Sequence, residues 1–315
     1  MEADDSDDTG TSKDKRYLYD VGANELAQWI ENEEFPPYRF RQIWQWLWRG
    51  VNSFDQMTDL PKDLRDRLAE DFVLDHVLLE KKLSSHLDET AKYLWKLHDG
   101  ETIESVFMSY KAGTSVCVSS QVGCQMGCDF CASSKAGFAR DLTTGELLAQ
   151  VAFIGKDQGR RIDHIVVMGI GEPMQNYDHV VGFLRACNDP AIFNISMRKM
   201  TVSTCGIIPQ IHKFAGEDMP VTLAISLHAT TNRLRSSLMP INRLYPLEDL
   251  MDACRDYIDK TGRRISFEYA LFSGVNDSPD DARRLVKLLD GMLCHVNLIP
   301  GNDVPDMPYK GSPKD

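Results

Sequence analysis

From residue 115 onward the sequence repeats one arrangement, a short apolar run followed by a helical pattern. The runs fall at residues 115–119, 164–168, 200–204, 222–227, 265–269 and 295–299. Strands that alternate with helices in this way build a parallel sheet, because each return to a parallel neighbour needs a crossover long enough to hold a helix. The pattern alone admits both a partial barrel and a doubly wound sheet. In either one the working residues belong just beyond the C-terminal ends of the strands. Ahead of the first crossover helix, near residues 145–153, Thr143 and Glu146 stand in capping-box spacing.

Upstream, residues 25–72 read as helical. Leu26, Trp29 and Ile30 mark one amphipathic stretch, and Phe40, Ile43, Trp44 and Leu47 recur at i, i+3, i+4, i+7 in a second that Gly50 stops. A third begins around Pro61, with Leu64 and Leu68 on one side. The tryptophans are core residues first and candidates for base stacking second. Tyr93, Trp95 and Leu97 alternate, Asp99-Gly100 is a tight turn, and Ile103, Val106 and Phe107 return as a second strand. Residues 1–14 are rich in Asp, Ser, Thr and Gly with no apolar stretch, which reads as a disordered tail and not as a targeting peptide. The expected division is an acidic tail over 1–16, a helical accessory domain over 17–85, a linking hairpin over 86–110 and a core over 111–315. With 315 residues, 43% of them hydrophobic, and no apolar run long enough to span a bilayer, a soluble chain with a large core is expected.

Cys124, Cys128 and Cys131 form a C-x3-C-x2-C run after the first strand of the repeat. Three thiolates at these intervals can hold three irons of a [4Fe–4S] cube and leave the fourth open, whereas a purely electron-transferring cluster normally takes four cysteines. A zinc site with Cys117 as fourth thiolate is the alternative, although zinc knuckles are usually two separated C-x2-4-C pairs and no second pair occurs. Structural disulfides are not expected from eight dispersed cysteines with no secretory leader. A cluster with an open iron needs a reducing compartment, so the expected location is the cytoplasm.

The run and its flanks resemble the radical S-adenosylmethionine (SAM) enzymes. Cys117-Val118-Ser119-Ser120-Gln121-Val122-Gly123-Cys124 before the cluster residues and Gly137-Phe138-Ala139-Arg140 after them look like the RlmN/Cfr family of RNA adenine methyltransferases, and the likeness runs from about Tyr17 to Tyr309. The resemblance implies an α/β fold, a radical-SAM (β/α)6 partial TIM barrel preceded by a small helical domain and a β-hairpin. It implies a [4Fe–4S] cluster on Cys124, Cys128 and Cys131, SAM as second cofactor, and a monomer supplied with electrons by a donor such as flavodoxin. The implied substrates are 23S rRNA and tRNA, methylated at adenine C2. In the implied chemistry one SAM places a methyl group on a C-terminal cysteine and a second yields a 5′-deoxyadenosyl radical that abstracts hydrogen from it. The carbon radical then adds to the adenine ring, whose sp2 carbon is too weak a nucleophile for polar transfer from SAM.

The same resemblance assigns roles at the strand ends. Met168-Gly169-Ile170-Gly171-Glu172-Pro173 follows the second strand; G-x-G alone is a weak signal, but by resemblance Gly171 and Glu172 hold the amino group of SAM. Ser203, Ser226, Leu227, His228 and, beyond the sixth strand, Asn302 line the SAM pocket by resemblance. Read from residue type alone, Cys117 is a small buried apolar side chain and Glu104 a solvated hairpin carboxylate. The resemblance makes Cys117 the resolving thiol that frees the RNA by forming a transient disulfide, and Glu104 the general base.

The net charge of −12 argues mildly against nucleic acid as a partner, yet phosphate contacts need only a local basic surface. Arg39, Arg41 and Arg49, Lys135 and Arg140, Arg160-Arg161 and Arg198-Lys199 are candidate patches, each more often a solvated face when taken alone. The family's methyl-carrying cysteine lies in a Cys-Gly-Gln-Leu-like segment that does not occur before Asp315, and Cys205 is a poor substitute because it sits inside the SAM-binding turn. A truncated chain that retains the cluster and SAM site is therefore expected. The competing readings are Cfr-type methylation at adenine C8, a noncatalytic RNA-binding remnant, and a zinc-stabilised α/β protein.

Overall fold

The computed structural model describes residues 15–75, 77–135, 137–302 and 308–313; the acidic tail expected over 1–14 lies outside the described residues. The first part of the chain is helical, with α1 (Ala23–Asn32), α2 (Arg39–Trp48) and α3 (Lys62–Asp71). Its tryptophans are used for packing. Trp44 and Trp48 are buried in a T-shaped contact with centroids 5.1 Å apart, and the Trp29 indole donates to Asp71 at 2.9 Å. The buried Tyr19 hydroxyl sits 3.0 Å from Leu47 O and 2.7 Å from Val51 O, which ties the entry segment to the end of α2. That end turns at Gly50 with φ +75°, where a Cβ would come within 2.9 Å of Ala152 O, so the glycine lets the helical part pack closely on the next domain.

Among the described residues, nine strands then pair into one sheet in the order in which they occur in the chain. They are β1 (Val77–Ser84), β2 (Ala91–Leu97), β3 (Thr102–Tyr110), β4 (Gly113–Val118), β5 (His164–Val167), β6 (Met200–Thr204), β7 (Thr222–Ser226), β8 (Ile265–Leu271) and β9 (Cys294–Pro300). β1 to β4 form an antiparallel meander, and β4 to β9 are parallel. A doubly wound sheet would reverse its strand order at a switch point, and this one does not. The order is that of a barrel wound in one direction, with α4 (Thr144–Gln158), α5 (Tyr177–Asn188), α6 (Ile208–Phe214), α7 (Asn232–Leu238), α8 (Leu247–Thr261) and α9 (Pro279–Leu289) in the crossovers.

Side-chain alternation sorts the parallel strands into two faces. Val116 and Val118 of β4, Ile165 and Val167 of β5, Val202 of β6 and Leu223 and Ile225 of β7 join one core cluster with Leu147, Val151 and Ile154 of α4. Cys117, Val166, Thr201, Ser203 and Ser226 alternate with them and so face the other way.

The helical domain expected over 17–85 is shorter than that range, because β1 belongs to the sheet and pairs with β2. Its register breaks between Leu79 and Lys81, and every residue of it except Val77 is exposed, so no period-2 pattern marks it. A second correction concerns Arg140. It grips the fully buried Glu146 with Nη1 at 2.8 Å and Nη2 at 2.9 Å and also pairs with Asp99, so it braces α4 against the β2–β3 turn and is not a free cation for RNA.

The capping box is present as expected. Glu146 N donates to Thr143 Oγ1 at 3.1 Å, and Thr143 N donates to Glu146 Oε2 at 3.0 Å. Thr143→Ala is expected to destabilise the protein by about 1 kcal/mol, the usual worth of an N-cap. Urea unfolding of the two proteins measures it, and an unchanged midpoint would contradict the cap's role.

Candidate active site

A cavity of about 170 Å³ opens where β5, β6 and β7 end, lined by Cys124, Cys128, Cys131, Gly171, Glu172, Ser203, Ser226 and His228 among others. The cysteine loop is closed at its base by a short ribbon, Gln121–Gly123 against Phe138–Asp141, and by Cys124 N donating to Gly137 O at 2.8 Å. At its far side Asp129 N donates to Leu238 O of α7 at 2.9 Å.

Cys124, Cys128 and Cys131 share one pocket. Burial, then the neighbouring Cys131 and Cys124, push the Cys128 thiol up to about 12, and burial raises that of Cys124. Iron cations offset that rise, since metal binding and thiol deprotonation are coupled. Among the described residues no three His, Cys, Asp or Glu side chains are arranged to hold a single metal ion, and a cube asks for no such convergence because each thiolate takes a different iron. Cys117, the fourth ligand of the zinc alternative, does not line the cavity. Cys205 does, but burial and the Glu172 carboxylate beside it hold its thiol protonated. The donor set therefore fits a cluster held by three cysteines.

Glu172 is buried and aligned from three sides. Its N–H donates to Gln121 Oε1 at 2.8 Å, its Oε1 accepts from Met174 N at 3.0 Å and its Oε2 accepts from Cys205 N at 2.8 Å. Burial pushes its carboxyl above the usual range and these donors pull it back. Gly171, at φ +109°, passes so close to Gln121 that a Cβ would lie 2.6 Å from that residue's own Cβ. Ser203 Oγ and Ser226 Oγ lie 3.4 Å apart across neighbouring strands.

His228 holds a left-handed backbone, φ +55°, which side-chain-bearing residues seldom adopt. Asn276 stabilises it by donating to His228 O at 2.8 Å and to Ala270 O at 2.6 Å while accepting from Phe272 N at 2.7 Å. The imidazole Nδ1 accepts from Ala270 N at 2.9 Å, so the proton sits on Nε2. Burial, reinforced by the charge of Arg235, lowers its pKa to about 3 and keeps the ring neutral. The cavity thus meets a neutral N–H donor.

Two residues assigned to the SAM pocket by resemblance are not among those that line the cavity. Leu227 is fully buried in the hydrophobic core, because alternation turns it away from its neighbours Ser226 and His228. Asn302 is exposed beyond β9 and is not on the cavity wall. The cavity adds Met126, Phe130, Thr204 and Met239, with Phe130 edge-on to His228 at 4.8 Å.

Glu104 and Cys117 share the same face of adjacent strands next to this cavity. Val106 is the register partner of Cys117, and Glu104 lies two residues along β3, a diagonal neighbour. The Cys117 thiol meets the backbone of Met168, itself a lining residue, and burial raises its pKa to about 11. Glu104 is ion-paired with Lys92 at 2.7 Å and its side chain is 38% exposed, so it is only partly desolvated.

Residues 17–74 match the family described as the ribosomal RNA large subunit methyltransferase N-terminal domain, and residues 118–286 match the radical SAM superfamily. A Geobacillus kaustophilus protein named as a probable dual-specificity RNA methyltransferase RlmN is 50% identical over 301 residues, which are 94% of this chain and 82% of that protein. The chain belongs to the RlmN family. A like-named Bacillus subtilis protein is 48% identical over 302 residues, 95% of this chain and 83% of its own length. The crystal structure of a radical SAM methyltransferase from Sphaerobacter thermophilus superposes with a TM-score of 0.91 at 44% identity, covering 95% of this chain and 89% of that one. The fold is thus the radical SAM α/β fold, and the cofactors of this RlmN-family chain are a [4Fe–4S] cluster and SAM.

Asn276→Ala removes two buried donors and one acceptor from the His228 turn. A loss of about 2–3 kcal/mol is expected in urea unfolding. Calorimetry should show SAM binding weakened by roughly tenfold, equivalent to about 1.4 kcal/mol. Full SAM affinity in that variant would show that Asn276 does not hold the turn.

Proposed function

We propose that this chain is the cluster-, SAM- and adenine-facing part of an enzyme that methylates C2 of an adenosine in 23S rRNA and in tRNA, in the cytoplasm, with electrons from a small one-electron donor such as flavodoxin; the methyl-carrying cysteine that the reaction also needs is not one of the cysteines of these 315 residues. The observation that carries the reading is the junction at β4. The three-cysteine cavity opens on one side of it and the Glu104–Cys117 pair stands on the other. Relatives 48–50% identical over most of the chain carry names for dual-specificity RNA methylation.

Cys124, Cys128 and Cys131 would hold the cluster, and together with SAM it supplies the radical chemistry that an unactivated ring carbon requires. Glu172 offers a carboxylate to an ammonium group. Ser203, Ser226 and the Nε2–H of His228 offer hydrogen bonds to the polar groups of a nucleoside-type ligand. Glu104, ion-paired with Lys92, is placed to take a proton from a base bound over β3 and β4. Cys117 is a protonated thiol at neutral pH and must lose its proton to act as the resolving nucleophile; Glu104 is the carboxylate next to it.

The protein is expressed from its own gene and assayed with rRNA and tRNA transcripts, the modified nucleoside being identified by mass spectrometry. 2-Methyladenosine supports the proposal and 8-methyladenosine overturns it. Glu104→Gln is expected to lower methylation by about 10²-fold or more, the range for a general base, while SAM cleavage to 5′-deoxyadenosine continues. Cys117→Ala should stop the reaction at a covalent RNA adduct visible as a shifted band on a denaturing gel.

Anaerobic reconstitution should give about four irons and four sulfides per chain, and a cysteine-to-serine change at position 124, 128 or 131 should abolish that content. Stoichiometric zinc without sulfide would overturn the metal assignment.

A further inference from the structure

Helix α7 forms the back wall of the cysteine loop. Besides the Asp129–Leu238 hydrogen bond, Leu238 and Met239 pack in one cluster with Cys205, Cys128 and Phe130. From this helix Arg235 turns inward and is fully buried. Its Nη2 donates to Cys205 O at 2.6 Å and to Ser226 O at 3.2 Å, its Nε to Leu227 O at 3.3 Å and its Nη1 to Asn242 Oδ1 at 3.1 Å. All four acceptors are neutral oxygens. A buried arginine is normally matched by a carboxylate, because an uncompensated charge away from water is costly. Here Glu172 stops one peptide short, since it binds the N–H of the same Cys205 whose carbonyl Arg235 binds.

We infer that Arg235 is a positioning residue whose charge is the counter-ion of the thiolate-bound cluster, raising its reduction potential, while its fork holds the loops after β6 and β7 in place. The inference rests on assigning the cluster to Cys124, Cys128 and Cys131. One-electron reduction adds a negative charge to the cluster, and a fixed positive charge nearby favours the reduced form. Net charge and outer hydrogen bonds are the established levers on such potentials. The guanidinium stands one residue away from the cysteine loop, because the Cys205 whose carbonyl it binds packs in one cluster with Cys128, and water screens a charge buried there little.

The test is an anaerobic redox titration of the reconstituted full chain, followed by the electron paramagnetic resonance signal of the reduced cluster. Arg235→Gln should lower the reduced-to-oxidised ratio at the wild-type midpoint about tenfold, which for a one-electron couple is about 59 mV. Arg235→Lys keeps the charge and loses the fork, so its midpoint should stay near that of the wild type while SAM binding weakens. Asn242→Asp places a carboxylate on Nη1 while leaving the residues that bind Nη2 and Nε unchanged, at the cost of the Asn242 Nδ2 donations to Asn232 and Ser236, and should shift the midpoint in the same direction as Arg235→Gln. That variant decides the matter if Arg235→Gln does not retain a cluster. An unchanged midpoint in Asn242→Asp, or a shift in Arg235→Lys as large as in Arg235→Gln, overturns the inference. Iron and sulfide content of the wild type tests the cysteine assignment separately.

Discussion

The strand-end loops are closed into a circuit by the way Cys205 is held. Its N–H goes to Glu172 and its carbonyl to Arg235. Glu172 is fixed in turn by Gln121 at the base of the cysteine loop, and Arg235 reaches the carbonyls after β7. Helix α7, which carries Arg235, binds Asp129 and so returns to the cysteine loop. The links through Gln121, Glu172 and Arg235 are buried polar groups, and breaking one strands its partner without water to replace it. The cavity is therefore shaped by its supports before any ligand enters.

A second set of charges, centred on the buried Glu146, braces the antiparallel hairpin against the first crossover helix. Glu146 caps its own helix and is clamped by Arg140, which also reaches Asp99 at the turn of the antiparallel hairpin. Removing Arg140 would leave an uncompensated carboxylate in the core, a loss of several kcal/mol in comparable sites. This brace fixes β3 relative to α4, and β3 carries Glu104. The side chain proposed as base and the cavity after the parallel strands thus owe their relative position to a bond on the far side of the sheet.

Much of this was legible in the sequence. The parallel run of strands, the capping box and the hairpin were marked by period, spacing and turn residues, and the cysteine loop by its intervals. β1 was hidden because its exposed Glu80, Lys81 and Lys82 and its bulge erase alternation. The side-chain direction of Leu227 was hidden for a different reason. The resemblance assigns it to the strand end as one of a run with Ser226 and His228, but alternation sends its side chain into the core while theirs face the cavity. Arg235 gave no signal at all, since it shares a short helix with Arg233 and only the tertiary fold decides which of the two is buried.

The sequential strand order bears on how the molecule is made. Each strand of the nine-stranded sheet leaving the ribosome finds its neighbour already synthesised, so pairing within that sheet never waits for a strand from further along the chain. The cysteine loop is the exception. Its thiols appear early, but the wall behind them, Leu238 bonded to Asp129, is synthesised much later, and Tyr309, whose hydroxyl donates to Asp129 at 2.6 Å, later still. During synthesis the cysteine loop is therefore exposed without its wall, and its surroundings are complete only when the chain through Tyr309 has been made.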